Sequence, residues 1–82
     1  MLATNKVQLI LFTGPQCHLC DLALVELEQV HNVTFSVEKR NIRENPDDYH
    51  LYAVRIPVLK RRDNDLELGW PFTAQDIERF LQ

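Results

Sequence analysis

The chain has 82 residues, 45% hydrophobic and 26% charged, with a formal net charge of −3. That length fits one domain, residues 1–82, which buries roughly 60–65% of the surface its unfolded form exposes. Nine Lys+Arg against twelve Asp+Glu argue against nucleic acid or a membrane surface as the main partner. No apolar run reaches the ~20 residues of a membrane span. Met1–Lys6 is too short and polar for a secretory signal, so the expected setting is the cytoplasm. There, a single cysteine pair is more often catalytic or metal-binding than a structural staple.

Val7-Gln8-Leu9-Ile10-Leu11-Phe12 is a near-continuous β-prone apolar run, suited to a strand buried on both faces. Gly14-Pro15 ends it. From Cys17 to about Val30 the pattern is helical. Leu19, Cys20, Ala23, Leu24, Leu27 and Val30 share one arc, with Asp21 and Glu28 opposite. Leu22 and Val25 lie off that arc, which predicts a helix covered on more than one side. Asn32 is its expected end. Val33, Phe35 and Val37 alternate with polar residues, as in a strand with one wetter face. Strand, helix and strand joined this way form a right-handed βαβ unit with parallel strands.

Asn45-Pro46-Asp47-Asp48 reads as a helix start, with an Asn cap, proline at the first position and two acids at the positive end of the dipole. A short helix over Tyr49 to Ala53, carrying Tyr49 and Tyr52, must end before Pro57. Val58–Arg61 and Leu66–Leu68 read as an antiparallel hairpin around an Asp/Asn turn. Lys60-Arg61-Arg62, followed by Asp63-Asn64-Asp65, reads as its solvated tip rather than a basic recognition patch. Thr73 caps the last helix, with Asp76 in a capping-box position and Phe72 and Ile77 as a hydrophobic staple. Ile77, Phe80 and Leu81 form its inward face. The order is β-α-β-α-β-β-α, an α/β fold with a four-stranded mixed sheet and three helices.

The chemistry centres on Thr13-Gly14-Pro15-Gln16-Cys17-His18-Leu19-Cys20-Asp21. Two cysteines placed at random fall three apart roughly one time in forty, so spacing alone is a modest signal. Strand, Gly-Pro turn, CxxC, then helix is the context that supports a redox dithiol. Cys17, in the first helical turn, is the expected nucleophile. An unperturbed cysteine is only about 3% thiolate at pH 7. The helix dipole is worth about 0.3–2 kcal/mol, enough to lower the thiol by roughly 0.2–1.5 pH units. Protonated His18 would lower it further, and Asp21 would oppose it. Cys20, on the buried arc one turn on, is the expected resolving thiol.

Cys17-His18-Leu19-Cys20 after the first strand and Ile56-Pro57 before the third resemble a glutaredoxin-like member of the thioredoxin superfamily. The element order matches along essentially the whole chain, closest to the short bacterial glutaredoxin-like proteins of undefined role. The resemblance implies a thioredoxin-like fold and thiol–disulfide exchange with a disulfide-containing protein or a small-molecule disulfide. It also implies a cis Pro57 beside the dithiol, and an Ile56 backbone that pairs with an extended substrate. No tightly bound cofactor or metal is expected, and glutathione is the candidate co-substrate.

Three departures bear on glutathione. Thr13 to Gln16 hold no lysine, Leu68-Gly69-Trp70-Pro71 has one glycine where typical members have a pair, and the intervening dipeptide is His18-Leu19. Arg55 is the candidate to take a carboxylate in the lysine's place. A monomer is expected. Two other readings stand beside the enzyme. One is a non-catalytic module that holds an extended peptide beside Ile56-Pro57. The other is a CxxC metal site drawing on His18, His31 or His50, none of which has the spacing of a paired zinc motif.

Overall fold

The computed structural model of the protein describes residues 6–31 and 33–82. The expected helix end at Asn32 and the reading of Met1–Asn5 as no secretory signal lie outside them. The strands are β1 (Val7–Thr13), β2 (Phe35–Asn41), β3 (Val58–Arg61) and β4 (Glu67–Gly69). The helices are α1 (His18–Glu28), α2 (Pro46–Tyr52) and α3 (Ala74–Phe80), with a 3₁₀ turn at Ile42–Glu44. The sheet order is β2-β1-β3-β4. β1 runs parallel to β2, with Leu9 opposite Val37, and antiparallel to β3, with Leu11 opposite Leu59. β4 closes the sheet antiparallel to β3.

The double apolar character of β1 has a direct cause. Side chains alternate across a strand, so Leu9 and Leu11 face one side of the sheet and Ile10 and Phe12 the other. Leu9 and Leu11 join Ala23, Leu27 and Val30 of the α1 segment, Leu59, and Phe72, Ile77 and Leu81 around α3. Ile10 and Phe12 join Ile42, Val58 and Tyr52 of α2. Phe12 and Tyr52 stack with ring centroids 4.0 Å apart.

Local signals in the sequence act as written. Asn45 Oδ1 accepts from the N–H groups of Asp47 and Asp48 at 2.9 and 3.2 Å. Thr73 and Asp76 form a reciprocal capping box. Glu26 adds a long-range cap, its Oε1 accepting from Ala74 N–H at 2.9 Å. A carboxylate there satisfies an orphan donor at the positive end of α3 and ties α3 to α1.

Several expectations need correction. Leu22 and Val25 are exposed, so α1 is covered on one side only. Leu19, placed on the inward arc by its angle, is 43% exposed because it faces an open groove beside Ile56 and not the core. Tyr49 is exposed while Tyr52 is buried. β2 begins at Phe35 rather than Val33, and β4 at Glu67 rather than Leu66.

The hairpin tip is solvated from Arg62 to Asp65 as expected, but Arg61 departs from that expectation. Arg61 is buried. Its guanidinium donates to both carboxylate oxygens of Asp63, at 3.0 and 2.7 Å, and to the carbonyls of Phe80 and Gln82 at 2.7 and 3.2 Å. Lys60 pairs with Asp65 at 3.8 Å, and Arg62 pairs with Glu38 across the sheet. The cluster is basic in sequence and neutralised in space. A planar, five-donor guanidinium suits this multiple clamp on a helix C-terminus and an ammonium does not. Arg61→Ala is therefore expected to destabilise the fold by about 1–2 kcal/mol, with Arg61→Lys recovering less than half, as read from urea unfolding midpoints.

Candidate functional site

β1 ends at Thr13, and Gly14-Pro15-Gln16 turns the chain into α1, with Gln16 at a left-handed φ of 56°. Cys17 is the N-cap of α1, one residue before its first helical position. The sulfurs of Cys17 and Cys20 are bonded, and their Cα atoms are 5.2 Å apart. Cys17 Sγ also accepts a hydrogen bond from Cys20 N–H at 3.1 Å. That amide is one of the donors a helix start leaves unpaired, and it would serve a thiolate at the same position more strongly.

The two sulfurs are unequally placed, as expected from the helical arc. Cys20 is 3% exposed, whereas Cys17 is only half-buried at the loop. His18 is exposed, and its ring has no hydrogen-bond partner among the described residues. Among those residues, no group of three or more His, Cys, Asp or Glu side chains is gathered as a metal site would need.

Ile56 and Pro57 lie at the start of β3, and the peptide bond between them is cis; so is Trp70–Pro71. Pro57 is fully buried. Ile56 reaches the dithiol loop, since a Cβ added at Gly14 would lie 3.0 Å from Ile56 Cδ1. The absence of a side chain at Gly14 is what lets the two segments approach this closely.

An open groove of about 400 Å³ lies on one side of Ile56, lined by Leu19, Val54, Arg55, Gly69 and Trp70. A smaller one of about 140 Å³ lies on the other, lined by Gly14, Pro15, Arg43, Tyr49 and Ala53. Val54 is 97% exposed, so the larger groove has an apolar rim as well as an apolar wall. A cleft of about 490 Å³ between Lys6, Gln8 and Arg61–Asp63 lies at the other end of β1, away from the cysteines.

Arg55, which lines the larger groove, belongs to a charged pair that sequence spacing does not reveal. Arg55 donates to Glu67 Oε1 at 2.6 Å, and the Tyr52 hydroxyl donates to Glu67 Oε2 at 2.6 Å. The Arg55 guanidinium lies over the Tyr52 ring, 5.2 Å from its centroid. The hydrogen bond from Tyr52, and then that from Arg55, holds the Glu67 carboxyl below its ordinary value. Burial, together with the adjacent Glu67 carboxylate, pushes Tyr52 up to about 12, so it remains a donor across the physiological range. Glu67 is 12 residues from Arg55 and 15 from Tyr52. No local motif joins them, and only the β3–β4 pairing, with Glu67 opposite Lys60, brings them together.

A parallel βαβ start, an antiparallel hairpin and a CxxC pair at the first strand–helix junction define a thioredoxin-like fold. The chain belongs to the Glutaredoxin-like domain (DUF836) family, whose model matches residues 8–82. Among solved structures it resembles a structural-genomics target protein, XcR50 from X. campestris, with 33% identity and a TM-score of 0.76 over 89% of this chain and 93% of that one. It is also similar to protein Ne2328 from Nitrosomonas europaea, with 23% identity and a TM-score of 0.74 over 100% of this chain and 99% of that one. A malarial protein shares the fold at 15% identity and a TM-score of 0.68, over 92% of each chain. No curated protein matches the sequence. Among the described residues, no helix is long and apolar enough to cross a membrane.

The lowered Glu67 carboxyl carries a pH signature. A carboxylate that titrates lower in the folded than in the unfolded state contributes stability that is fully present above its ordinary value of 4.5. That contribution is lost as pH falls through the folded value. Urea midpoints measured from pH 7 to pH 3 are expected to fall more steeply for the wild type than for Glu67→Gln, the two curves converging at the acid end.

Proposed function

We propose that this protein is a thiol–disulfide oxidoreductase in which Cys17 is the nucleophile and Cys20 the resolving thiol. The observation that carries this reading is the unequal pair at the start of α1. One sulfur is half-buried beside an open groove and bonded to a helix-start amide; the other is shielded behind it. Attack on a disulfide needs an accessible thiolate, and the second step needs a partner sulfur already within bonding reach.

In the reductive direction, the Cys17 thiolate attacks one sulfur of the substrate disulfide. The substrate S–S bond breaks, and its other sulfur leaves with the electron pair and takes a proton. Cys17 is then joined to the first sulfur. Cys20, on losing its proton, attacks Cys17 Sγ, and the second substrate thiol leaves. The pair has given the substrate two electrons and is now the Cys17–Cys20 disulfide; of the two protons on the product thiols, one is released by Cys20 and the other comes from the solvent that took it from Cys17. An external thiol returns it to the reduced state by the reverse exchange.

His18, exposed next to Cys17, is the residue proposed to tune the thiolate when protonated. The backbone at Ile56-Pro57 and the groove that Arg55 lines are proposed to receive the substrate. The proposed form is a monomer without a bound cofactor, working in the cytoplasm on a disulfide-containing protein, with glutathione as candidate co-substrate.

Redox titration in glutathione buffers, quenched by alkylation and read by mass, tests the reading. A Cys17–Cys20 disulfide that forms reversibly between about −270 and −180 mV is the expected result. In the reduced protein Cys17 is expected to alkylate much faster than Cys20, with a rate that titrates below about pH 8. Cys17→Ser is expected to abolish exchange. If both thiols stay reduced throughout, or Cys17 reacts no faster than a peptide thiol, the dithiol is vestigial. The apolar groove would then favour a peptide-binding module.

A further inference from the structure

We propose that Glu67 is a specificity-determining residue that neutralises Arg55 and so makes the groove beside the dithiol discriminate against anionic disulfides, glutathione disulfide among them. This rests on the oxidoreductase reading above and names the substrate class it serves.

Leu19, which stands between the two cysteines in sequence, and Ile56 both line this groove, so it borders the dithiol segment. Arg55 is the cation that lines it. A free arginine there would be a seat for a carboxylate, with a fork of donors matched to two oxygens. The seat is already filled. Glu67 Oε1 takes the Arg55 guanidinium at 2.6 Å. Glu67 in turn is held by the Tyr52 hydroxyl at 2.6 Å, and Tyr52 is itself buried against Phe12. The carboxylate is therefore anchored from the core side and does not swing away freely.

An incoming carboxylate must displace an internal partner present at high effective concentration, and it meets the Glu67 charge as it arrives. The Thr13–Gln16 segment that precedes the dithiol contains no lysine or arginine to offset this. What remains around the pair is apolar: Leu19, Val54, Ile56 and Trp70. Such a groove fits a disulfide flanked by uncharged, apolar residues. Each half of glutathione disulfide carries two carboxylates and one ammonium, hence a net negative charge.

The test compares two small disulfides on the reduced Cys20→Ser background, where exchange stops at the mixed disulfide. Glutathione disulfide and the uncharged hydroxyethyl disulfide are each mixed with the protein, and the rate of mass gain on Cys17 is followed. The readout is the ratio of the two rates, which a general loss of folded protein does not move. In Glu67→Gln the ratio is expected to rise about three- to tenfold in favour of glutathione disulfide at low ionic strength. The gain is expected to shrink at high salt. It should vanish when Arg55→Gln is added, since Glu67 acts through that guanidinium.

A ratio unchanged in Glu67→Gln, or a gain that survives Arg55→Gln, overturns the proposal while leaving the enzyme reading intact. Exchange with neither disulfide overturns the enzyme reading and this proposal with it.

Discussion

The burial of β1 on both faces is the constraint on which the rest depends. Its four consecutive core residues, Leu9 to Phe12, supply apolar side chains to two separate clusters. One cluster needs α1 and α3 above the sheet, the other needs α2 and the 3₁₀ turn below it. Because β1 also pairs on both edges, parallel to β2 and antiparallel to β3, its C-terminal end is held from four directions. Cys17 follows that end by a four-residue step, so the CxxC pair is mounted directly on the strand that anchors both clusters. This mount holds the Cα atoms of Cys17 and Cys20 5.2 Å apart, with their sulfurs bonded.

The site combines that rigid mount with an electrically quiet approach. Cys17 sits at the positive end of α1 and bonds to one of its amides. In the larger groove the Arg55 charge is matched by Glu67, which the Tyr52 hydroxyl holds in place. An exposed ion pair alone would contribute little. Here the carboxylate has a second, partly buried partner in the Tyr52 hydroxyl, which couples the charge balance of the groove to the packing of the α2 face. The same residue that stacks on Phe12 thus also holds the carboxylate that balances Arg55 in the groove.

The other end of the molecule uses charge for cohesion. Arg61 gathers the last carbonyl of α3, at Phe80, the carbonyl of Gln82 beyond it and the carboxylate of Asp63, and Glu26 caps the start of the same helix from α1. A seven-residue helix is too short to persist alone. Both of its ends are secured by side chains from other elements, and its apolar residues Ile77 and Leu81 close the core over β1 and β3. An 82-residue chain has a thin core, so such charge-assisted ties carry a larger share of its cohesion than they would in a larger domain.

The periodicities of this sequence determined the element order, both cap motifs, the two-faced strand and the unequal burial of Cys17 and Cys20. These are local consequences of side-chain spacing and of which groups a helix end leaves unpaired. Tertiary structure decided what local pattern cannot encode. Leu19 follows the inward arc of α1 yet is exposed, since it lines the open groove beside Ile56 instead of the core. Lys60-Arg61-Arg62 reads as a solvated run, yet Arg61 is buried, because the carbonyls of Phe80 and Gln82 reach it from a distant part of the sequence and add to the local carboxylate of Asp63. Arg55 reads as a cation free for substrate, yet it is matched by Glu67. That match exists only because β4 pairs with β3, and strand pairing is set by the whole fold rather than by the residues that come to meet across it.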